Sequence, residues 1–218
     1  MKRIVFTLIA AAGAYGFSIG CVHSLRYGVH NVIKFPLFLL VTASVCGLAY
    51  FVVASAFGAG LKFAQVQTLS FSLFRDASVL LASFATVSLF LSLALQRPDA
   101  KGLHEYPLFM AANVVLIGFC GVVALLRQSR DVLTSTTLTR TRAGVLVACW
   151  LALSLFVGSQ AAWFFRPFFG VATISADATP FFLGTQPDFR GATSFYEALW
   201  DLFDPPNETR IEFERVTD

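Results

Sequence analysis

Long apolar runs separated by short polar turns dominate the pattern of this chain. The continuous hydrophobic runs cover approximately residues 4–22, 35–57, 77–96, 106–126 and 143–165. Each run is close to the roughly 20 residues that a helix needs to cross the hydrocarbon core of a bilayer. Because the apolar residues are continuous rather than alternating, the pattern favours helices over a β-barrel. The sequence therefore predicts an all-α membrane protein with a five-helix transmembrane domain at residues 1–170.

A stretch of mixed polarity precedes the third apolar run. No Pro or Gly interrupts residues 61–95, which is longer than one span requires. We therefore expect an interfacial amphipathic segment near residues 62–74, followed by the spanning part. Arg75 and Asp76 would lie at the junction near the headgroups. Since adjacent residues on a helix do not face each other, each is expected to pair with another group.

The Arg75 and Asp76 charges have two interpretations. An ionisable residue inside a span is a functional-site hypothesis by default. A position near the bilayer boundary favours the structural alternative, in which the arginine extends to the interface and covers apolar surface with its stem.

Small residues fill the end of the first run, in the stretch GAYGFSIG at residues 13–20. Gly16 and Gly20 form a GxxxG motif, which lets another helix approach closely. Glycines placed by chance in a segment rich in small residues are the alternative. The run follows Lys2 and Arg3 but has no clean A-x-A cleavage site, so we expect a retained helix rather than a signal peptide.

A polar stretch containing His23, Arg26 and His30 leads into the second run. We expect these three residues in a loop and Lys34 at the membrane edge. Pro36 is expected in the first turn of the second helix, where the missing N–H of proline has no cost.

Hydrogen-bonding side chains mark the end of the fifth run. Trp163 is expected at interface depth and Arg166 among the headgroups, while Pro167 disfavours continuation of the helix. Gln160 lies deeper, where an unpaired amide is costly. The candidate partners of its amide on other helices are Tyr15, Thr42, Ser44 and Asn113. Helix pairing with interface anchoring, a docking surface for another subunit, and a ligand site remain alternatives.

Charge is distributed unevenly around the net value of +3. After Gly170 the chain has nine acids and three bases, hence −6, which leaves +9 for the rest. Loop 127–142 carries four arginines against Asp131. Short arginine-rich loops stay in the cytoplasm, so five spans predict a cytoplasmic N-terminus and a periplasmic C-terminus.

The tail, residues 171–218, is predicted to be an acidic extracytoplasmic segment with one short amphipathic helix. In TSFYEALWDLF, Ser194 and Glu197 have the spacing of a capping box. Phe195, Leu199 and Phe203 recur on one helical face. Such a helix fits on the membrane surface or against the bundle.

Two motifs resemble those of an uncharacterised family of small bacterial polytopic inner-membrane proteins. The first is Lys-x-Pro-Leu at residues 34–37, and the second is Gly-x-Gln-x-x-Trp-x-x-Arg-Pro-Phe at residues 158–168. The resemblance implies a bacterial inner-membrane location and a five-helix layout, but no reaction. It singles out Lys34, Pro36, Gln160, Trp163, Arg166, Pro167 and Phe168.

The composition and the motifs favour a structural role. The chain is 56% hydrophobic and 13% charged, and its four cysteines form no CxxC pair. It contains no HExxH, GxSxG or P-loop. We therefore predict a non-enzymatic subunit or scaffold of a larger membrane assembly, with a small transporter or channel component as the alternative and a membrane-embedded enzyme as the second alternative. The expected partners are the lipid bilayer and other membrane subunits, not nucleic acid, and no catalytic residue, metal site or cofactor is predicted.

Overall fold

The computed structural model is all-helical over the residues that it describes, which are 1–95, 105–166, 168, 181–182 and 194–196. The helices in these residues are α1 (Lys2–Gly20), α2 (Leu25–Ala56), α3 (Phe63–Ser83), α4 (Ala85–Leu95), α5 (Glu105–Ser135) and α6 (Arg140–Phe164). Four of them, α1, α2, α5 and α6, are long and apolar enough to cross a membrane, and α3 with α4 would make a fifth span. The chain is therefore a multi-pass membrane protein, as its pattern predicts.

Helix α2 begins ten residues earlier than the apolar pattern predicts. Ser24 is its N-cap, and the Ser24 side chain accepts a hydrogen bond from the backbone N–H of Tyr27 at 3.1 Å. Serine is among the preferred residues at this position because it pairs an otherwise unsatisfied N–H group. The expectation that Arg26 and His30 lie in a loop is therefore wrong, since both are on α2.

Pro36 consequently lies inside α2 and not in its first turn, which corrects the prediction for this residue. A proline in a helix interior leaves the carbonyl four residues earlier without its usual donor. That carbonyl belongs to Val32, and it faces Gly13 of α1 so closely that a Cβ atom on Gly13 would lie 3.3 Å from the Val32 oxygen. The absence of a side chain at Gly13 gives the carbonyl room.

Helices α1 and α2 run antiparallel and approach each other most closely at the GxxxG motif. A Cβ atom on Gly16 would lie 2.6 Å from the Asn31 carbonyl oxygen, and one on Gly20 would lie 2.9 Å from the Gly28 Cα atom. Real Cβ atoms do not come this close to backbone atoms. Gly16 and Gly20 therefore set the spacing between the first two helices.

The third apolar segment is broken at Phe84, where α3 and α4 meet at a bend of 50°. Helix α3 continues through residue 74, so the break lies ten residues after the predicted end of the interfacial segment. The interfacial position of that segment stays a prediction. A single buried stripe crosses residue 74, consisting of Val66, Ser70, Leu73, Ala77 and Leu81. Its helical spacing keeps one face of α3 against the bundle throughout.

Arg75 and Asp76 pair with each other, contrary to the expectation from helical geometry. The Arg75 Nε atom donates to Asp76 Oδ1 at 2.8 Å, because the long arginine side chain reaches back to its neighbour. Both side chains are about one third exposed. An exposed pair of this kind contributes little to stability.

Polar side chains inside the bundle join helices that are distant in sequence. The Tyr15 hydroxyl donates to Asn113 Oδ1 at 2.7 Å, and the Ser88 hydroxyl donates to the same atom at 3.0 Å. The Asn113 amide donates in turn to the Phe109 carbonyl. These bonds connect α1, α4 and α5.

A second connection joins α2 to α6. The Tyr50 ring stacks on Trp150 with a centroid distance of 4.7 Å, and the Tyr50 hydroxyl forms a hydrogen bond with Ser154.

Most of the tail lies outside the described residues. The predicted amphipathic helix is described only at residues 194–196, and Pro167 lies outside the described part as well. The described tail residues nevertheless make specific contacts with the bundle, which define the candidate site.

Candidate functional site at the contact between tail and bundle

Lys34 is the centre of an aromatic cluster at the start of α2. Its side chain is fully buried, and its Nζ atom donates a hydrogen bond to the carbonyl oxygen of Phe181. The Nζ atom lies 5.1–5.9 Å from four ring centroids, those of Tyr27, Phe168, Phe181 and Phe182. We refer to Lys34 and these four rings as the Lys34 cluster. The tail covers Lys34, and its position at the membrane edge stays a prediction.

Aromatic faces attract the positive charge of an ammonium group, and the attraction strengthens when water is excluded. The Lys34 cluster therefore has the chemistry of an aromatic cage, occupied by a side chain of the same protein. The site holds the segment that contains Phe181 and Phe182 against α2.

Asn31 makes a second connection one helical turn earlier. Its amide Nδ2 donates to the carbonyl oxygen of Phe168. The amide fits beside α1 because position 20 is a glycine, where a Cβ atom would lie 2.7 Å from Asn31 Nδ2. Gly20 therefore serves the packing of α1 on α2 and the contact of α2 with the chain after α6.

The Phe168 ring brings the two family-like motifs together. It lies 5.7 Å from the Phe35 ring and 5.4 Å from the Phe38 ring, measured between centroids. Phe165 also contacts Phe38, at 6.0 Å. The motif that begins at Lys34 and the motif that ends at Phe168 thus form one packed unit. The sequence carries both motifs but no local signal that they meet.

Gln160 bonds the tail, and among the described residues it has no hydrogen bond to another transmembrane helix. Its Oε1 atom accepts a hydrogen bond from the backbone N–H of Phe195 at 3.3 Å. The predicted partners are engaged elsewhere, for example Tyr15 with Asn113 and Thr42 with the carbonyl of Phe38. The prediction of an interhelical partner is therefore wrong.

Tyr196 strengthens the contact next to Gln160. Its ring stacks on Phe156 at a centroid distance of 4.8 Å. Its hydroxyl lies 2.7 Å from the Ser159 hydroxyl and donates to the Phe156 carbonyl at 2.7 Å. The last two turns of α6 therefore carry an extended docking surface for residues 195 and 196.

Trp163 and Arg166 form a stacked pair at the end of α6. The guanidinium carbon of Arg166 lies 3.5 Å from the centroid of the Trp163 ring. The Phe195 ring is also near Trp163, at a centroid distance of 6.5 Å. Burial lowers the pKa of Arg166 from its ordinary value. Sequence reasoning placed these residues as separate anchors and missed their cation–π pairing.

The polar groups of the described site hold the tail residues against the bundle. Among the described residues no group of three His, Cys, Asp or Glu side chains could hold a metal ion. The predicted charges Arg75 and Asp76 pair on α3. Within the described residues, the Nδ1 atom of His30 and the Oδ1 atom of Asn31 are buried and have no hydrogen-bond partner. The described polar groups of the site include the Lys34 amine, the Arg166 guanidinium and the amides of Asn31 and Gln160, set among aromatic rings.

No family model, no curated protein and no solved structure matches this chain. The family resemblance based on the two motifs therefore stays a prediction.

Proposed function

We propose that this chain is a non-enzymatic subunit or scaffold of a larger membrane protein assembly. We further propose a bacterial inner-membrane location with five spans, in which α3 and α4 together form the third. The predicted loop 127–142 is mostly helical, because its arginines lie at the end of α5 and the start of α6. These arginines support a cytoplasmic position for that end of the two helices and for the N-terminus. The acidic tail would then lie in the periplasm.

A contrast between two groups of glycines carries this proposal. In α1 and α2 every described glycine is in contact with a neighbouring element, as Gly16 and Gly20 illustrate. In α5 and α6, by contrast, a Cβ atom at Gly118, Gly121, Gly144 or Gly158 would meet no atom of the described residues within 4 Å. Small residues in transmembrane helices favour close helix packing. The open glycines are suited to contact helices of another subunit.

The burial of the helices agrees with this assignment. In the spanning windows of α1 and α2, 44% of residues are buried, against 28% for α5 and 11% for α6. The exposed side chains of these two helices include Val115, Phe119 and Phe156. Lipid alone can cover such apolar faces. The open glycines, and not the apolar area, therefore distinguish a surface that contacts another subunit from one that faces lipid.

A small transporter or channel component is the second candidate, and the bend at Phe84 favours it. Broken helices near buried polar groups form substrate sites in many transporters. Here Ser88 lies just after the bend. The hydroxyls of Ser88 and Tyr15 both donate to Asn113 Oδ1. These groups satisfy one another, which favours a structural role for them. A membrane-embedded enzyme has less support, because the site described above lacks a catalytic combination of groups.

Purification from the native membrane in a mild detergent tests the proposal. The paired substitution Gly118→Leu and Gly121→Leu adds bulk to the open face of α5, while Ala14→Leu adds bulk at an exposed position of α1. We expect the unmodified chain and Ala14→Leu to retain stoichiometric partners, and the glycine pair to lose them while the monomer stays folded. Two results would refute the subunit role. One is that the glycine pair keeps the same partners as Ala14→Leu, and the other is that the unmodified chain purifies without partners.

A further inference from the structure

Arg127 and Arg130 border a cavity at one end of α5. The cavity has a volume of about 480 Å³ and is lined by Val123, Leu126, Arg127 and Arg130. It is open rather than enclosed, and the four described residues that line it all belong to α5. The spacing of these residues, at i, i+3, i+4 and i+7, places all four on one face of the helix.

The order of these residues along α5 separates apolar from charged groups. Val123 and Leu126 precede the two arginines, and the Leu126 side chain is 61% exposed. The guanidinium groups of Arg127 and Arg130 form no ion pair or hydrogen bond with the described part of the chain. Two guanidinium groups thus lie next to the apolar side chains of Val123 and Leu126, near the end of α5.

We propose that this cavity binds an anionic phospholipid. The phosphate would accept hydrogen bonds from Arg127 and Arg130, since the planar guanidinium group matches phosphate oxygens in a two-bond geometry. The acyl chain would lie against Val123 and Leu126. The exposed apolar wall favours a lipid over a free phosphate, because a free phosphate gains nothing from hydrophobic contact. This inference does not depend on the proposed role in an assembly.

The arginines at the start of α6 provide a matched comparison. Arg140 and Arg142 are exposed at the same end of the bundle but do not line the cavity. A diffuse attraction between basic residues and anionic lipids would involve all four arginines similarly. A built site requires Arg127 and Arg130 specifically.

The test uses the full chain after delipidation in a mild detergent, titrated with phosphatidylglycerol or phosphatidylcholine and followed by native mass spectrometry and thermal unfolding. We expect retained phosphatidylglycerol adducts and a raised unfolding temperature. The double variant Arg127→Gln, Arg130→Gln should weaken binding about tenfold or more, and Arg140→Gln, Arg142→Gln should change it much less.

Three outcomes would overturn the proposal. Equal losses in the two double variants would show diffuse electrostatic attraction. Equal binding of phosphatidylcholine would show that the anionic headgroup is not recognised. Inorganic phosphate that raises the unfolding temperature as much as phosphatidylglycerol would identify a site for free phosphate. Both pairs of arginines are exposed, so folding of the variants is expected and is checked by the same unfolding curve.

Discussion

The Nζ atom of Lys34 donates a hydrogen bond to the carbonyl oxygen of Phe181, although 147 residues separate them in the chain. The amine is fully buried, and aromatic rings surround it. A buried donor that loses its acceptor costs free energy, as does an acceptor that loses its donor. This bond therefore links the position of the tail to the second transmembrane helix.

Replacement of Lys34 by Met is expected to release the segment around Phe181. Methionine keeps the length of the side chain but removes the donor and the cation–π attraction, which together contribute about 1–3 kcal/mol. In reconstituted vesicles, limited proteolysis should cleave the tail faster, while the unfolding temperature of the bundle changes less. Lys2→Met, at an exposed lysine, is the control. Equal cleavage rates in Lys34→Met and the unmodified chain would contradict the role of Lys34.

The Gly16→Ala substitution is expected to destabilise the bundle strongly. The new Cβ atom would lie 2.6 Å from the Asn31 carbonyl oxygen and 2.7 Å from the Phe35 Cβ atom, so α1 and α2 would have to separate. Overpacking of this kind typically costs about 1–3 kcal/mol. Thermal unfolding in detergent measures the effect.

Gly118→Ala is the matched control for Gly16→Ala. Its Cβ atom would meet no atom of the described part of the chain within 4 Å. The higher helix propensity of alanine should therefore leave the purified chain equally or slightly more stable. Similar losses of thermal stability in Gly16→Ala and Gly118→Ala would contradict the role of Gly16 in the close packing of α1 on α2.

The sequence predicts the helices of this protein better than their contacts. Apolar runs identify spans because the bilayer requires a local property, a continuous hydrophobic length. The apolar pattern does not predict the start of α2, because Arg26, His30 and Lys34 resemble loop residues. The tail residue that bonds Lys34 lies more than a hundred residues away in the chain.

The candidate site shows the same limit. Gln160, Trp163 and Arg166 stand out because polar groups are rare at the end of an apolar run. In the structure Trp163 and Arg166 stack on each other, and Gln160 accepts a hydrogen bond from the backbone N–H of Phe195. A backbone partner leaves no signature in the residue type, so the sequence offered only side-chain candidates on other helices.

Gln160→Leu is expected to loosen the tail with a modest effect on the bundle. The lost hydrogen bond to Phe195 should cost about 1 kcal/mol. Hydrogen exchange at the Phe195 amide should accelerate. Gln160→Glu keeps an acceptor oxygen at this position and should preserve protection of the amide. Unchanged exchange in Gln160→Leu would mean that this bond does not hold the tail.

Removal of the Asn113 side chain is expected to destabilise the bundle more than removal of Tyr15's hydroxyl. Asn113→Ala leaves the Tyr15 and Ser88 hydroxyls without their acceptor, at a cost of about 1–3 kcal/mol for each buried unsatisfied group. Tyr15→Phe removes one of these unsatisfied hydroxyls. The loss of stability in the double variant Tyr15→Phe, Asn113→Ala should therefore be smaller than the sum of the losses in the two single variants. Thermal unfolding of the four proteins gives the coupling energy.

Thr42→Val is the control for this cycle, because the Thr42 hydroxyl bonds only the local Phe38 carbonyl at 2.8 Å among the described residues. It should not couple to Asn113→Ala. The same variants separate the two candidate functions. A structural network predicts that Asn113→Ala loses stability. If Asn113→Ala instead kept full stability and abolished a solute flux in vesicles, the buried polar groups would serve transport, and the subunit proposal would be replaced by the transporter.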